Sequence, residues 1–327
     1  MKLASLKHGR DGQLIVVSRD LSRYVVAGPV APTLQAALDD WENVEPQLEN
    51  LSGALNAGMR KDAQALDFAA LAAPLPRGYE FVDGSAYLPH VERVRAARGA
   101  EVPESFYSDP LMYQATSAGF LGPRDPVLVY SEAYGIDFEA EVVVVTGDVP
   151  MDTSAEEAAR HILLVGLVND VSLRNLIPGE LAKGFGFLQS KPRSALSPVL
   201  ATPDELGDAW QDSVLHHALH STLNGEWFGS PEAGVDMQFN FAQLIAHAAR
   251  TRPLTAGTIV GSGTIANQDT GKGASCLAEK RMLEIIATGK PITPFMSFGD
   301  TIRIDMLDEQ GHSIFGAIEQ TIIAHGH

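Results

Sequence analysis

Asp137-Phe138-Glu139-Ala140-Glu141-Val142-Val143-Val144-Val145-Thr146 sets three carboxylates at alternate positions and then runs into four valines. Alternate residues of an extended chain point the same way, so Asp137, Glu139 and Glu141 line one face. The valine run marks a buried strand, which puts the acids at the mouth of a core element. Three carboxylates on one face repel one another unless something neutralises them. On this segment alone two readings stay open: a solvated acidic edge, or a hard cation held by oxygens.

Similar β-branched runs recur on either side, separated by Gly and Pro, at 126–129, 257–261 and Thr301–Met306. Helical patterns interrupt them: Ser154-Ala-Glu-Glu157 is a capping box that opens one, and 239–250 forms another. Strands dominate without regular βαβ alternation, so the expectation is a mixed, β-rich α+β fold rather than a doubly wound sheet. Nearer the start, Leu14–Val17 reads as a strand or hairpin, and a helix is predicted over 33–42 with Thr33 as its N-cap. The Pro-bearing stretch Ala72-Ala73-Pro74-Leu75-Pro76-Arg77 is the best boundary in the chain. It divides a small α+β accessory unit, 1–73, from a catalytic domain, 74–327. No repeat at a fixed period is evident.

The 327 residues carry a formal net charge of −17, with 45% hydrophobic and 20% charged residues, an ordinary globular balance. That charge argues against a nucleic-acid partner, which needs clustered Lys and Arg. An anionic substrate would need a metal ion or a buried cation to meet it. The single cysteine, Cys276, excludes an internal disulfide and a thiolate zinc cage. With no signal-peptide pattern and no membrane-length apolar run, a cytoplasmic chain without a membrane partner is expected.

A second acid stands at the exit of another apolar strand. The run 161–168 ends in Asn169-Asp170-Val171-Ser172-Leu173-Arg174. Asp170 reads as a helix cap or, beside the earlier acids, as a further metal ligand. His90 follows a Gly-Ser turn and has carboxylates on both sides, Asp83 and Glu92, so an oriented general base competes with an ordinary surface histidine. His216, His217 and His220 sit in a strand-and-hairpin context that favours a surface role over zinc. His247 lies in an apolar helix and reads as packed or interfacial. Lys191, in a Gly- and aromatic-rich stretch with little other charge, is either a surface lysine or a cation for an oxyanion. Gly261-Ser262-Gly263-Thr264 offers backbone N–H groups to an anion, or is a plain turn.

Taken in order, Glu139-Ala-Glu141, Asn169-Asp170-Val-Ser-Leu-Arg174, Lys191 ahead of Ser197-Pro198, and Gly263-Thr264 resemble the fumarylacetoacetate hydrolase family, from about Pro74 onward. The resemblance implies a mixed β-sandwich roll with the metal at its open mouth, a homodimer, and Glu139, Glu141 and Asp170 as ligands of Mg²⁺, Mn²⁺ or Ca²⁺. Fumarylacetoacetases add an Asp-x-Tyr element with the catalytic His seven residues after the Asp. Asp83 stands in that relation to His90 and is implied as a fourth ligand, but Ser85 occupies the place of the Tyr, which weakens fumarylacetoacetate itself as the substrate. Tyr113 resembles a substrate-contacting Tyr. The partner of His90 is implied to be Glu279, with Glu92 as the local alternative; shorter relatives place a Glu where this chain has Arg93.

The implied reaction is hydrolytic cleavage of a carbon–carbon bond in a 1,3-diketone or acylpyruvate, an anionic diketo acid. His90, oriented by Glu279, would activate water; Lys191 would stabilise developing negative charge; Arg174, Tyr113, Gly263 and Thr264 would contact substrate. Decarboxylation and keto–enol isomerisation use the same kind of site. A non-catalytic protein binding a carboxylate metabolite is the rival from another class.

Overall fold

The computed structural model describes residues 1–96 and 101–326. Its central feature is an eleven-stranded sheet. From one edge the strands run Gln64–Ala65, Arg23–Val26, Gln13–Val17, Lys2–Leu6, Leu200–Ala201, Ile162–Asn169, Ala140–Thr146, Ile259–Gly261, Phe81–Gly84 and Met112–Gln114; Ala195–Leu196 also pairs with Ile162–Asn169. All these pairings are antiparallel except Ile259–Gly261 with Phe81–Gly84. A second sheet of five strands runs Glu226–Gly229, Leu219–Leu223, Thr301–Met306, Ile318–Ala324 and Val127–Val129. Mixed sheets with separate helices make this an α+β fold.

Ala140–Thr146 shows why the valine run reads as a core strand. Val142 and Val144 join the larger apolar cluster, which reaches into the five-stranded sheet through Val127, Leu219, Ile304 and Ile318. Val143 and Val145 point the other way, into a second cluster beneath the helices Leu34–Leu38 and Trp41–Asn56. A strand covered on both faces has no place for polar alternation, and the sequence shows none there.

The first strand is not confined to a separate unit. Lys2–Leu6 pairs with Gln13–Val17 on one side and with Leu200–Ala201 on the other, in the register Lys2↔Ala201 and Leu3↔Leu200. The stretch before residue 73 therefore extends the same sheet that carries the acidic strand. Ser5 Oγ donates to Pro74 O at 2.7 Å, which fastens the Pro-bearing stretch to this sheet.

The helix predicted over 33–42 is two helices. Leu34–Leu38 begins as expected, with Thr33 Oγ1 accepting from the Ala36 N–H, but it stops at Asp39. Asp40 takes φ −136° and ψ 41°, outside the helical region, and Trp41–Asn56 starts afresh. Adjacent acids disfavour a helix C-terminus and favour an N-terminus, so Asp39-Asp40 makes a natural break. The Ser154 cap is present, with Ser154 Oγ accepting from the Glu157 N–H, yet the α-helix spans only Ala155–Ala158. The helix predicted over 239–250 is Phe241–Ala248, and Asn240 with Gln243 forms its capping box. Among the described residues no helix is long and apolar enough to cross a membrane.

Candidate active site

Three strand ends meet where the large sheet's central strands stop. Glu141 lies opposite Val168 on the neighbouring strand, two residues before Asp170, and Asp83 lies beside Gly261 on the far side. Asp83, Glu141 and Asp170 each offer an oxygen within 4.8 Å of the others, and all three are buried. The approach is close enough to demand glycine. A Cβ on Gly261 would stand 2.1 Å from Asp83 Oδ1, and one on Gly263, at φ +76°, 2.2 Å from Gly84 O. Gly263 N–H donates to Asp83 Oδ1 at 3.2 Å.

The acids differ in how they are met. Asp170 accepts from Ser194 Oγ at 2.6 Å, Lys191 Nζ at 2.6 Å and Tyr113 Oη at 2.5 Å. Neither oxygen of Glu141 has a donor among the described residues. Burial, and then the neighbouring Asp170, push the Asp83 carboxyl up to about 8. Burial, Asp83 and Asp170 push Glu141 well above the usual carboxylate range. Asp83 and Glu141, buried beside Asp170 with no cationic side chain bonded to either among the described residues, are costly to ionise as they stand. An all-carboxylate donor set with orphaned oxygens fits a hard divalent cation.

Glu139 stands outside that group. Its Oε1 accepts from Arg174 Nη2 at 2.7 Å and Thr264 Oγ1 at 3.1 Å; its Oε2 accepts from Ser172 Oγ at 3.1 Å and from Lys191 Nζ. Burial works against its charge, but Arg174 and Lys191 outweigh burial and hold the carboxyl far below its ordinary value. Lys191 is likewise buried, and Asp170 and Glu139 raise it despite that. Lys191 bridges Glu139 to the three-acid group.

Asp137 is a neighbour of this centre rather than part of it. Its Oδ1 and Oδ2 accept from the backbone N–H groups of Leu277 at 2.7 Å and Ala278 at 2.8 Å, at the start of the helix Leu277–Thr288. An acid at a helix N-terminus is favoured by the exposed donors and the dipole. Oδ2 also accepts from Arg174 Nε at 2.8 Å. Arg174 therefore has Nε and Nη2 committed to two carboxylates, and the strand motif and the Asn-Asp-x-Ser-x-Arg motif are locked to each other through it.

His90 lies on the helix Leu88–Ala96, and its Nδ1 is 3.0 Å from Oε2 of the fully buried Glu279. Glu92 turns elsewhere, accepting from Tyr107 Oη and Gln268 Nε2 at 3.0 Å each. Tyr113 packs edge-on to Phe187 at 4.8 Å, and Lys191 Nζ lies 5.3 Å from its ring centre. The histidine cluster stays apart: His220 Nδ1 is 2.8 Å from Ser230 Oγ, and none of His216, His217 and His220 belongs to a metal-type group among the described residues.

Glu180 had no signal in the sequence, and Arg93 was marked there only as a departure from shorter relatives, with no role. Glu180 accepts from the N–H groups of Leu188, Gln189 and Ser190 at 3.0, 2.6 and 3.1 Å, fixing the turn that delivers Lys191. Arg93 donates to Glu279 Oε1 at 2.5 Å. Each acts across a gap in sequence that no local pattern marks.

Comparison with known proteins gives the family. The family model described as fumarylacetoacetate (FAA) hydrolase C-terminal matches residues 80–323, and that described as fumarylacetoacetase N-terminal domain 2 matches residues 1–77. The chain belongs to the fumarylacetoacetate hydrolase family. A 2,4-didehydro-3-deoxy-L-rhamnonate hydrolase of Sphingomonas sp. (strain SKA58) is 30% identical over 168 residues, 50% of this chain and 56% of that protein. A mitochondrial oxaloacetate tautomerase, fahd2, of Xenopus laevis is 26% identical over 160 residues, 48% of this chain and 47% of that protein. The chain thus spans about half the length of these two relatives. A maleylpyruvate hydrolase from Sphingobium sp. SYK-6, solved with manganese(II) and pyruvate, superposes with a TM-score of 0.64 at 15% identity, covering 99% of each chain, which shows the shared fold. The fumarylacetoacetate hydrolase family accordingly holds both hydrolases and a tautomerase among the relatives of this chain.

Proposed function

We propose that this family member is a metal-dependent hydrolase that cleaves a carbon–carbon bond in a 1,3-diketo acid of the acylpyruvate type. The observation that carries the reading is Glu141: both oxygens are buried and unpartnered beside Asp83 and Asp170, within a site that also contains a His–Glu pair. Asp83, Glu141 and Asp170 would hold Mg²⁺, Mn²⁺ or Ca²⁺, with Glu139 as the adjoining fourth carboxylate. A bound divalent cation would polarise a substrate carbonyl and stabilise enolate charge.

The protein's own groups divide the remaining work. Nδ1 of His90 donates to Glu279, which leaves Nε2 free to take a proton from water as that water attacks the carbonyl carbon, and then to return it to the departing enolate carbon. Lys191 supplies positive charge next to the acids and can meet an oxyanion. Tyr113 Oη presents a hydroxyl at the edge of the centre, and Gly263 and Thr264 form its wall. We assign Arg174 to holding Glu139 and Asp137 in place rather than to a substrate carboxylate, because two of its donors are already committed. A homodimer is part of the proposal, tested by sedimentation.

The experiment is a screen of acylpyruvates, 1,3-diketones and oxaloacetate with Mg²⁺, Mn²⁺ or chelator, with products identified. Release of pyruvate and a second carboxylic acid, abolished by chelation, is expected. Undiminished turnover after exhaustive chelation would defeat the metal reading. Tautomerisation or decarboxylation without cleavage would reassign the reaction, and stoichiometric binding without product would make the chain a binding protein. His90→Ala should lower hydrolysis by roughly 100-fold or more.

A further inference from the structure

Glu279 is a buried carboxylate claimed from two directions by one helix. His90 and Arg93 are three positions apart on Leu88–Ala96, so their side chains leave the same face. His90 Nδ1 is 3.0 Å from Oε2 and Arg93 Nη1 is 2.5 Å from Oε1. Arg93 is itself buried, and its Nη2 donates to Asn267 O at 2.5 Å and to Gln268 O at 3.2 Å. The guanidinium is thus fixed to the loop that follows Gly263-Thr264 before it touches the acid.

We propose that Arg93 is a positioning residue for the His90–Glu279 pair. This rests on the reading of His90 as the base. A carboxylate with no exposure needs a counter-charge, and Arg93 supplies it from a rigid fork. With Oε1 taken, only Oε2 is left for the imidazole, and the plane of the carboxylate is set. The ring then has one arrangement, Nδ1–H donating and the Nε2 lone pair facing the centre. The acid thus comes from Leu277–Thr288, while the helix of the base contributes the cation. One rigid-body shift of Leu88–Ala96 would break both bonds together, which ties the aim of the base to the docking of its helix.

The test uses the full chain saturated with Mn²⁺ for kinetics and with Mg²⁺ for ¹⁵N spectra of the His90 ring. Arg93→Met should lower kcat roughly 10- to 100-fold with KM within about twofold, the size seen when an outer partner of a reactive group is lost. The His90 spectrum should change from a single Nδ1–H tautomer to a mixture, and Arg93→Lys should recover most of both. Unchanged kcat together with an unchanged ring spectrum overturns the proposal. So does a loss of kcat that matches the fall in folded fraction while the tautomer is retained. If Arg93→Met does not fold, Arg93→Gln, neutral and of similar reach, is held to the same outcomes. His90→Ala is measured alongside: full activity there defeats the base assignment, while the ring spectra still decide whether Arg93 holds His90.

Discussion

Glu139 and Glu141 are two residues apart, both buried, and electrostatically opposite. Around Glu139 the chain has gathered Arg174, Lys191, Ser172 and Thr264, and the carboxyl is held strongly ionised. Around Glu141 it has gathered only more acid, and the carboxyl is driven the other way. Burial is common to both, so the partners alone set the difference. One half of the centre is complete as folded; the other, on the proposed function, takes a cation from outside.

Removing each acid should therefore change stability in opposite directions. Glu139→Ala strands Arg174 and Lys191 without a shared counterion, and urea unfolding in chelator should show a loss of about 3 to 5 kcal/mol. Glu141→Ala relieves repulsion, so the metal-free protein should be no less stable and possess a higher midpoint, while titration calorimetry should find Mn²⁺ affinity reduced about 100-fold, roughly 2.7 kcal/mol. A destabilised Glu141→Ala protein in chelator would erase the contrast.

A pH series refines it. Asp83 has an ordinary value of 3.8 and is pushed up to about 8 in the folded chain. A raised folded value means stability is fully present below the unfolded value and is lost as pH rises through the folded one. The metal-free protein should thus weaken steadily between about pH 4 and pH 8, with Glu141 acting in the same direction, and saturating Mg²⁺ should flatten the decline. A metal-free protein that gained stability over that span would contradict the burial of unpaired acids. The smallest effect belongs to the completed half: Ser172→Ala removes one of several donors to Glu139 and should cost about 1 kcal/mol with metal affinity nearly unchanged.

How much of this was legible in the sequence depends on the length scale. The alternation at Asp137, Glu139 and Glu141 and the valines beyond it place a strand and an acidic mouth without help. Alternation alone does not separate Asp137 from the other two acids; that comes from the helix start at Leu277, whose donors reach it from 140 residues away. The motif resemblance put Asp170, Lys191, Asp83 and His90 in one site; the structure groups Asp83 with Glu141 and Asp170, joins Lys191 to Asp170, and separately pairs His90 with Glu279. The resemblance could not show that Arg174 is committed to two acids or that Glu139 sits apart from the three-acid group. Those are facts of side-chain competition, in which donors are fewer than the carboxylates that want them. Asp39-Asp40 carried its own break signal, yet an unbroken apolar rhythm on both sides hid it.

The pairing of Lys2–Leu6 with Leu200–Ala201 has a consequence in time. The partner of the first strand is made about 200 residues later, and at roughly 5 to 20 residues per second that is a wait of about 10 to 40 s on the ribosome. During it the hairpin formed with Gln13–Val17 presents an open edge of unpaired backbone groups, the kind of surface on which strands from other chains add. Yield in the cell should then depend on how quickly translation reaches residue 201, so slow codons between 20 and 200 would favour aggregation while leaving the finished protein unchanged.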